Sequence, residues 1–263
     1  MDCDSTVLAT TKTPTTPDAP AIAAIQGAKT VLDTAGVGWH QISTFIHGTT
    51  LATNALIERR GANVATITTE GFRDILEIAY ERRYSQYAIN IEKPDLIVPR
   101  KHAFTIGGRM DVHGQERAPL AEGDVASLAN SLRDAGIDAV AICLMHAYAN
   151  SAHELRLRRV LADHLPDLVI SLSHEVSPEA REFDRLCTTI ANAYIQPLMS
   201  DYLADVQRRF AHEGLICPVL MMTAGGGMTT LETAIRLPIR LVESGPAGGA
   251  ILAARLAQET GET

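Results

Sequence analysis

The run from residue 139 to residue 145 constrains the fold of this chain more than any other feature, because all of its side chains are apolar. A strand that is apolar at every position is covered on both faces, which is typical of a parallel sheet with helices on each side. Helical spacing of apolar residues precedes this run at positions 125–132 and follows it at positions 157–161. We therefore predict an α/β fold with a largely parallel sheet.

The remainder of the chain repeats this alternation of strand and helix patterns. Pro20 and Gly36 mark the start and the end of the first helix. Prolines and paired glycines between residues 84 and 120 indicate an inserted β-rich segment, with short strands at 96–98 and 103–106. Further strands are predicted at residues 7–13, at Phe45, and at 64–68, 168–172 and 219–222, and further helices after His47, from Phe72 to Ala79, from Phe183 past Pro197, and from about 247 to 258.

Two local signals concern individual helices. Ser151 and Glu154 have the spacing of a capping box, in which the two side chains bond to each other's backbone amides at a helix start. Pro197 lies inside the longest helical pattern. Because proline lacks an amide hydrogen and clashes with the preceding turn, it predicts a kink or an interruption there.

Composition excludes several classes of function. The net charge of −8 argues against general nucleic-acid binding, and no apolar run approaches the roughly 18–20 residues that a membrane helix needs. Four cysteines lie far apart without a C-x-x-C pair, so we expect neither a disulfide framework nor a cysteine zinc site. The N-terminus has no basic-then-apolar signal pattern. We predict a cytoplasmic protein with no membrane and no nucleic-acid partner.

A polar turn follows the Phe45 strand, with the sequence His-Gly-Thr-Thr at residues 47–50. A helix-like segment begins immediately afterwards, and such strand-to-helix turns are where α/β proteins hold polar ligands. His47 can donate a hydrogen bond to a substrate carbonyl or act as a general acid or base. The alternative is that Thr53 and Asn54 cap the helix and His47 only braces the turn.

Two glycine-rich turns can bind an anion through the backbone. Residues 244–249, Ser-Gly-Pro-Ala-Gly-Gly, lie at a helix start, where unpaired amides and the helix dipole favour negative charge. Residues 225–227 are three glycines after a strand, which let a ligand approach closely. Neither turn matches the dinucleotide fingerprint or the P-loop. The alternative is that both are tight turns that pack a helix against the sheet.

The histidines show no metal-site pattern, since there is no H-E-x-x-H and no cysteine–histidine cluster at zinc spacing. His146 ends a buried strand, and a satisfied core histidine is the favoured interpretation. His174 and Glu175, with the charged run 181–185, form either a polar cluster facing a cleft or a solvated set of ion pairs at a helix start.

Nine segments occur in order along the chain: residues 12–17, 47–62, 70–78, 93–94 with 98–100, 173–178, 181–185, 188–194, 225–227 and 243–249. None is specific by itself. Together, at this spacing, they resemble the hydantoinase A/oxoprolinase family over nearly the whole chain. The resemblance divides the chain into a hydantoinase/oxoprolinase N-terminal region, residues 1–175, and the start of the core region, residues 176–263.

The resemblance implies a fold of the actin and sugar-kinase type, in which two ribonuclease-H-like halves close on ATP. It also implies an A-type subunit that works with a B-type subunit in ATP-dependent hydrolysis of cyclic amides such as 5-oxoproline or hydantoins. Because members of this family also activate ketones for carboxylation, a ketone carboxylase subunit is an alternative. A further alternative is a non-catalytic remnant that binds a partner subunit or a small molecule.

The resemblance and the polar turns together give a candidate site. His47 is the candidate catalytic residue, nearest the substrate amide. The cyclic amide is assigned to side chains that can donate or accept hydrogen bonds or carry charge, namely Thr49, Thr50, Asn54, Glu175 and Arg181. ATP is assigned to the two glycine-rich turns, at Gly225, Gly226, Ser244, Gly245, Gly248 and Gly249.

The chain departs from the family pattern at both ends. The family begins with an Asp-x-Gly-Gly-Thr-Phe-Thr-Asp hairpin that grips phosphate and Mg²⁺, whereas this chain opens Met-Asp-Cys-Asp-Ser-Thr. A second Asp-x-Gly-Gly-Thr motif is expected after residue 249 and is not reached by Thr263. We interpret the sequence as an N-terminal fragment, incomplete at both ends. ATP and Mg²⁺ then belong to the complete protein, and we expect no ATP hydrolysis by the chain alone.

Overall fold

The computed structural model describes residues 7–16, 19–81, 85–91 and 93–261, without the side chain of Glu259. The opening six residues lie outside the described residues, as do Asp18 and Pro17, the last residue of the family-like segment 12–17. The chain divides into two compact units: unit 1 comprises Met1–Thr53 and Leu198–Thr263, and unit 2 comprises Asn54–Pro197. The predicted regions 1–175 and 176–263 concern family regions of the sequence and stay a prediction.

Helices and strands alternate along the chain, as predicted. The helices are α1 (Pro20–Ala35), α2 (Leu51–Ile57), α3 (Ile75–Ile78), α4 (Val125–Asp134), α5 (Ala152–His164), α6 (Ser173–Val176), α7 (Glu182–His212), α8 (Leu231–Arg236) and α9 (Ser244–Thr260). The strands are β1 (Phe45–His47), β2 (Val64–Thr69), β3 (Ala103–Ile106), β4 (Arg109–Met110), β5 (Glu116–Ala118), β6 (Ala139–Cys143), β7 (Val169–Leu172), β8 (Val219–Met222) and β9 (Met228–Thr230). None of the described helices is long and apolar enough to cross a membrane.

Unit 2 is built on a parallel sheet with the strand order β3-β2-β6-β7. Every residue of β2 and β6 is buried, because these two central strands are covered on both faces. Helices α4 and α5 contribute Leu128, Leu132, Leu157 and Leu161 to the same core. The apolar run at residues 139–145 therefore predicted the central strand correctly, and the mixed α/β class with a mostly parallel sheet is confirmed.

Unit 1 holds a three-stranded sheet in which β1 pairs with β8 in parallel and β9 pairs with β8 in antiparallel orientation. The ring of Phe45 packs on Phe210 with centroids 4.4 Å apart, and Trp39 meets the same Phe210 ring edge-on. These contacts anchor the short strand β1 to helix α7. Gly36 ends α1 in the left-handed conformation, with φ of 65°, as its position predicted.

Two predicted strands are wrong. Residues 7–13 form no strand, and Val7 and Leu8 are largely exposed, because a strand needs a neighbour for its ladder and none of the described strands pairs there. Residues 96–98 also form no strand. Of the β-rich segment, Ala103–Ile106 joins the main sheet as a parallel edge strand, and β4 and β5 form one antiparallel hairpin.

One helix prediction is wrong and another is wrong in part. Ser151 precedes α5, but its side chain makes no capping bond. The amide of Ala152 donates instead to the side-chain oxygen of Asn150 at 3.0 Å, and the Glu154 carboxylate turns into the core and bonds there. Of the kink or interruption predicted at Pro197, the interruption does not occur, since α7 continues to His212. The kink stays a prediction.

Candidate functional site

The polar and glycine-rich segments of unit 1 meet at the carboxyl edge of the β1–β8 pair. Because these strands are parallel, the turns that follow them leave the sheet at the same edge. The amino end of α9 joins this edge, since the Glu243 amide donates to the Thr53 hydroxyl at 3.1 Å. The buried Ser244 hydroxyl also donates to the carbonyl of Thr49 at 3.5 Å. Segments almost 200 residues apart therefore share one polar edge.

His47, the last residue of β1, is half-buried and bonded to a tyrosine. Its Nε2 lies 2.7 Å from the hydroxyl of Tyr202, a residue of α7. Burial lowers the pKa of His47 from its ordinary value of 6.5, so the ring is neutral at neutral pH. Burial raises the pKa of Tyr202, against the weaker opposite effect of a hydrogen bond with Thr49. This part of the edge therefore presents uncharged hydrogen-bonding groups.

The two predicted substrate threonines lie beside His47 on this edge. The Thr49 hydroxyl accepts a hydrogen bond from the amide of Leu51 at 3.2 Å, which closes the first turn of α2. Thr50 is exposed, and its methyl carbon would lie 3.9 Å from a Cβ added at Gly245. The structure thus brings Thr49, Thr50 and the start of α9 together within unit 1.

The predicted nucleotide glycines divide into packed and open positions. A Cβ added at Gly248 would lie 2.8 Å from the sulfur of Met222, and one added at Gly226 would lie 3.2 Å from an isoleucine of α9. At Gly225 and Gly249 an added Cβ would meet no described atom within 4 Å, apart from chain neighbours and the residue's own helix. Packing therefore accounts for Gly248, and a φ of 78° together with packing accounts for Gly226. At Gly225 and Gly249 there is space beside the backbone.

The amino end of α9 differs from the prediction in its starting point. The helix begins at Ser244, so residues 244–249 are its first turns and not a loop in front of it. Amides of a first helical turn have no partner within the helix and can bind an anion. Pro246 removes one of these donors. Glu243, just before the helix, has a φ of 64°, a left-handed conformation that costs energy in a residue with a side chain.

The other predicted substrate residues belong to unit 2. Asn54 lies on α2 and is exposed. Glu175 is not available as an isolated carboxylate, since Arg158 donates to it at 2.9 Å in an ion pair. Arg181 is exposed and adopts a left-handed conformation, with φ of 68°, directly before α7. Their assignment to the substrate stays a prediction.

A buried carboxylate, that of Glu154, lies at the carboxyl edge of the unit 2 sheet. Glu154 on α5 is fully buried. Its Oε1 accepts hydrogen bonds from the amide of Leu144 at 2.9 Å and from the hydroxyl of Ser173 at 2.6 Å. Its Oε2 accepts two bonds from His174, one from the backbone amide and one from Nδ1 at 2.7 Å. Leu144 and Ser173 directly follow β6 and β7, so Glu154 joins the ends of two neighbouring strands.

Arg185 on α7 supplies a buried positive charge to the same edge. The side chain is fully buried, and its Nε donates to the hydroxyl of Ser173 at 3.1 Å. Its two terminal nitrogens donate to the carbonyl of Glu179 at 2.7 Å and to that of Leu144 at 3.1 Å. The interpretation of residues 181–185 as a solvated set of ion pairs is therefore wrong for Arg185.

The bond to Glu154 fixes the proton of His174. A carboxylate accepts hydrogen bonds and does not donate them, so Nδ1 of His174 carries the hydrogen and Nε2 faces away from the bond. Among the described residues, Nε2 has no partner, and it is not sealed from solvent. His146 differs, because it is half-buried and bonded through Nδ1 to the hydroxyl of Tyr148 at 3.2 Å.

The described residues offer no metal centre, and two of their cysteines, Cys143 and Cys187, are unreactive. They contain no group of three His, Cys, Asp or Glu residues that could hold a metal ion. Burial raises the pKa of Cys143 to about 12 and that of Cys187 to about 11. Both thiols therefore stay protonated at neutral pH and are not nucleophiles.

A cavity of about 670 Å³ lies at the opposite edge of the unit 2 sheet, at the amino ends of β6 and β7. Its charged lining is engaged in structural bonds: Asp138 accepts the amide of Asn63 at 2.9 Å, and Arg133 donates to the carbonyl of His164 at 3.2 Å. None of the predicted site residues lines this cavity. Size alone therefore does not make it the candidate site.

Two residues at these edges were missed by sequence reasoning. Tyr202 lies 155 residues from His47, and no local pattern connects the two positions. Glu154 was identified only as a capping residue. A glutamate in the first turn of an amphipathic helix fits that interpretation, and only the folded structure shows that it is buried.

Comparison with known proteins finds relatives of several named activities. The chain is 31% identical over 242 residues to caprolactamase subunit alpha of Pseudomonas jessenii, covering 90% of this chain and 35% of that protein. It is 29% identical over 221 residues to 5-oxoprolinase 1 of Arabidopsis thaliana, covering 78% of this chain and 17% of that protein. It is 26% identical over 268 residues to the acetophenone carboxylase gamma subunit of Aromatoleum aromaticum, covering 95% of this chain and 36% of that subunit. The chain thus spans about a third or less of these relatives.

Two solved structures share the fold. The crystal structure of ATP-dependent caprolactamase from Pseudomonas jessenii matches with a TM-score of 0.84 and 31% identity, over 95% of this chain and 37% of that chain. A nucleotide-free structure of acetone carboxylase matches with a TM-score of 0.85 and 23% identity, over 95% of this chain and 37% of that chain. The second likeness shows the fold alone.

Family models cover most of the sequence in two blocks. The hydantoinase/oxoprolinase N-terminal region matches residues 1–165, and the hydantoinase/oxoprolinase region matches residues 185–263. The first match alone covers more than half of the chain. The resemblance found in the sequence motifs is therefore confirmed, and the chain belongs to the hydantoinase/oxoprolinase family.

Proposed function

We propose that this chain is part of the A-type subunit of an ATP-dependent enzyme that opens cyclic amides, and that the carboxyl edge of the β1–β8 pair contributes to its site. The observation that carries the proposal is the meeting of the His47 turn with the start of α9. One segment offers neutral donors for a carbonyl, and the other offers backbone amides for an anion. A reaction that couples a lactam to a phosphate donor needs both kinds of group.

His47 is the proposed contact to the substrate amide. The ring is neutral because burial lowers its pKa, so it can polarise a carbonyl oxygen without introducing a full charge. Thr49 and Thr50 lie beside it, and each hydroxyl can donate or accept a hydrogen bond. Asn54, Glu175 and Arg181 remain proposed substrate residues, supported by their match to the family motifs.

The glycine-rich part of this edge has groups that suit the phosphates of ATP, whereas the described residues include no side-chain cluster that suits Mg²⁺. The first-turn amides of Ser244 and Gly245, together with the backbone at Gly225, would receive phosphate oxygens, and the absence of a side chain at Gly249 would leave room for the nucleotide. Gly226 and Gly248 would support these positions by packing. ATP supplies the phosphoryl group that activates the amide. No described cluster of three acidic or histidine side chains could hold a divalent ion, so we assign no step to Mg²⁺.

The actin and sugar-kinase type of fold and a B-type partner subunit are part of the same proposal. The likeness to a caprolactamase subunit and an acetophenone carboxylase subunit, both named as parts of larger assemblies, supports a partner. Ketone carboxylation is the second candidate function, because the carboxylase subunit matches 95% of this chain. A non-catalytic role in binding a partner subunit is the third.

The test uses the complete protein with its partner subunit. Replacing His47 by alanine should lower lactam-dependent ATP turnover by roughly 10²–10⁴-fold, because a positioned donor or proton-transfer group is lost. His212→Ala, an exposed histidine of the same unit, is the matched control and should leave turnover unchanged. Circular dichroism checks that both variants fold. Near-normal turnover by His47→Ala, or its unfolding, would leave His47 with a structural role only.

The same preparation separates the candidate functions. ADP release that depends on a lactam and yields an amino acid supports the hydrolase. ADP release that depends on both a ketone and bicarbonate supports the carboxylase. Absence of turnover with either substrate, while the partner subunit still co-purifies, would favour the non-catalytic role.

A further inference from the structure

We infer that Tyr202 is a positioning residue that holds His47 in the tautomer with its hydrogen on Nδ1, so that His47 offers its ligand a hydrogen-bond donor and not a base. The inference rests on the proposed function for the role of His47 as a ligand contact. The tautomer itself is a property of the folded chain and can be measured without a substrate.

The direction of one hydrogen bond decides the tautomer. The Tyr202 hydroxyl lies 2.7 Å from Nε2 of His47, and only one of these two groups can donate across that distance. A phenol is a stronger acid than a neutral imidazole N–H, and an imidazole nitrogen is a stronger base than a phenol oxygen. The Tyr202 hydroxyl therefore donates and Nε2 of His47 accepts.

The neighbouring hydrogen bonds run in the same direction. The Leu51 amide, at the start of α2, donates to the Thr49 hydroxyl at 3.2 Å. With its oxygen already accepting, Thr49 can direct its own hydrogen towards the Tyr202 oxygen, and the hydrogen bond between the two acts to lower the pKa of Tyr202. A phenol oxygen that accepts from one side is a better donor on the other. The chain of hydrogen bonds thus begins at the backbone amide of Leu51 and ends at Nε2 of His47.

The remaining ring nitrogen is the one that can reach a ligand. Burial lowers the pKa of His47, so the folded ring carries one hydrogen at neutral pH. With Nε2 accepting, that hydrogen is on Nδ1. Among the described residues, Nδ1 has no hydrogen-bond partner, and it is not one of the buried nitrogens that lack one. The ligand atom opposite His47 is therefore an acceptor, which suits the carbonyl oxygen of an amide.

Nuclear magnetic resonance of the full 263-residue chain, labelled with ¹⁵N at histidine, tests the tautomer directly. Two-bond ¹⁵N–¹H correlations at pH 7.5 distinguish a nitrogen that carries hydrogen from one that does not, and His47→Gln identifies the His47 signals. We expect hydrogen on Nδ1 and a bare Nε2 for His47. Hydrogen on Nε2, or a doubly protonated ring at this pH, would overturn the inference whatever the variants show.

Tyr202→Phe tests whether the tyrosine is the cause. This change removes the hydroxyl but keeps the ring, whose centroid lies 5.9 Å from that of His47. The single-tautomer signature should be lost, because a histidine without this partner favours hydrogen on Nε2. Tyr194→Phe, at another buried tyrosine of α7, is the matched control and should leave the His47 signals in place. Unchanged His47 signals in folded Tyr202→Phe would refute the role of Tyr202.

The two proposals can fail separately. If His47→Ala keeps its turnover in the complete enzyme while the spectrum shows hydrogen on Nδ1, the proposed function is wrong and the tautomer stands. If His47→Ala loses turnover while the spectrum shows hydrogen on Nε2, His47 acts on the substrate as an acceptor, and the inference drawn from Tyr202 is wrong.

Discussion

The carboxyl edges of the two sheets each hold a histidine, but opposite chemistry surrounds them. At the unit 2 edge the protein supplies its own charges, since Glu154 and Arg185 are fully buried and bonded to strand ends and to each other through Ser173. At the unit 1 edge the groups around His47 are neutral hydroxyls and backbone amides, and two glycines have no described atom beside them. At the unit 2 edge the charged side chains already bond to other groups of the protein, so they are not available to a charged ligand. At the unit 1 edge the neutral hydrogen-bond donors can still bind such a ligand.

The two histidines show the same contrast in their exposed atoms. His174 donates through Nδ1 to a carboxylate, which leaves Nε2 as the outward-facing nitrogen. His47 accepts at Nε2 from a phenol, as inferred above, which leaves Nδ1–H as an outward-facing donor. The hydrogen-bond partner of one ring nitrogen thus determines how the other ring nitrogen can bind a ligand.

The largest expected effect tests whether the unit 2 edge depends on its internal charges. Arg185→Met removes the buried guanidinium, its hydrogen bonds to Ser173, Glu179 and Leu144 and its ion pair with Glu182, so the free energy of unfolding should fall by about 3–5 kcal/mol. Arg208→Met is the matched control on the same helix, because its ion pair with Asp205 is exposed, and it should cost about 0–1 kcal/mol. Urea denaturation followed by circular dichroism measures both. Equal losses in the two variants would mean that the charges at this edge are not a structural requirement.

The next effect tests whether the unit 1 edge is open where the glycines indicate. Gly249→Ala adds a methyl group where no described atom lies within 4 Å. Alanine also favours the helix, so the variant should gain about 0.5–1 kcal/mol in stability. Gly248→Ala should not show this gain, because its methyl group would lie 2.8 Å from the Met222 sulfur. Thermal denaturation of the two single variants is the measurement. A gain at Gly248 that matches the one at Gly249 would show that helix and strand are not closely packed there.

The smallest effect concerns pH and follows from the neutral character of the unit 1 edge. The folded chain keeps His47 unprotonated below its ordinary pKa of 6.5, whereas the unfolded chain takes up the proton near that value. The contribution of His47 to the free energy of unfolding is therefore fully present above pH 6.5. It is lost as the pH falls from 6.5 through the lowered pKa of the folded chain. His102, whose pKa burial also lowers, adds a loss of the same sign.

The pH prediction is measured as the urea midpoint between pH 7.5 and pH 5.5, above the range in which most carboxylates titrate. His47→Gln should make this dependence shallower, and His102→Gln should remove only the share that belongs to His102. A His47→Gln variant with the full dependence of the unchanged chain would show that His47 is already protonated at neutral pH or titrates without a shift.

The sequence predicted the fold where one pattern ran over many residues. The central strand β6, the strand β2 and the helix α4 were all predicted, because burial on both faces or on one face imposes a clear periodicity. The strand predicted at residues 96–98 was wrong because a short apolar run has no periodicity that distinguishes a strand from a loop. The strand predicted at residues 7–13 was wrong because a strand needs a neighbouring strand, which the local sequence does not specify.

The candidate site was predictable in its segments and not in its bonds. Local glycines, threonines and His47 identified the turns that meet at the unit 1 edge. The partner of His47 could not be found, because Tyr202 is brought to it only by the packing of α7. Arg185 was misjudged for a related reason, since a run of alternating charges looks solvated until the surrounding carbonyls that satisfy it are known.

The buried network also limits how this protein can be divided. Two family models match this chain, the first at residues 1–165 and the second at residues 185–263. Glu154 lies within the first match, but Ser173 and Arg185, which complete its surroundings, lie beyond it. A piece that ends at residue 165 would lose β7 and the Ser173 and His174 side chains that bond Glu154, so we expect it to be less stable than the whole unit. The segment that the first family model recognises is therefore not the segment that could be exchanged between related proteins. An exchanged segment would have to include the start of α7.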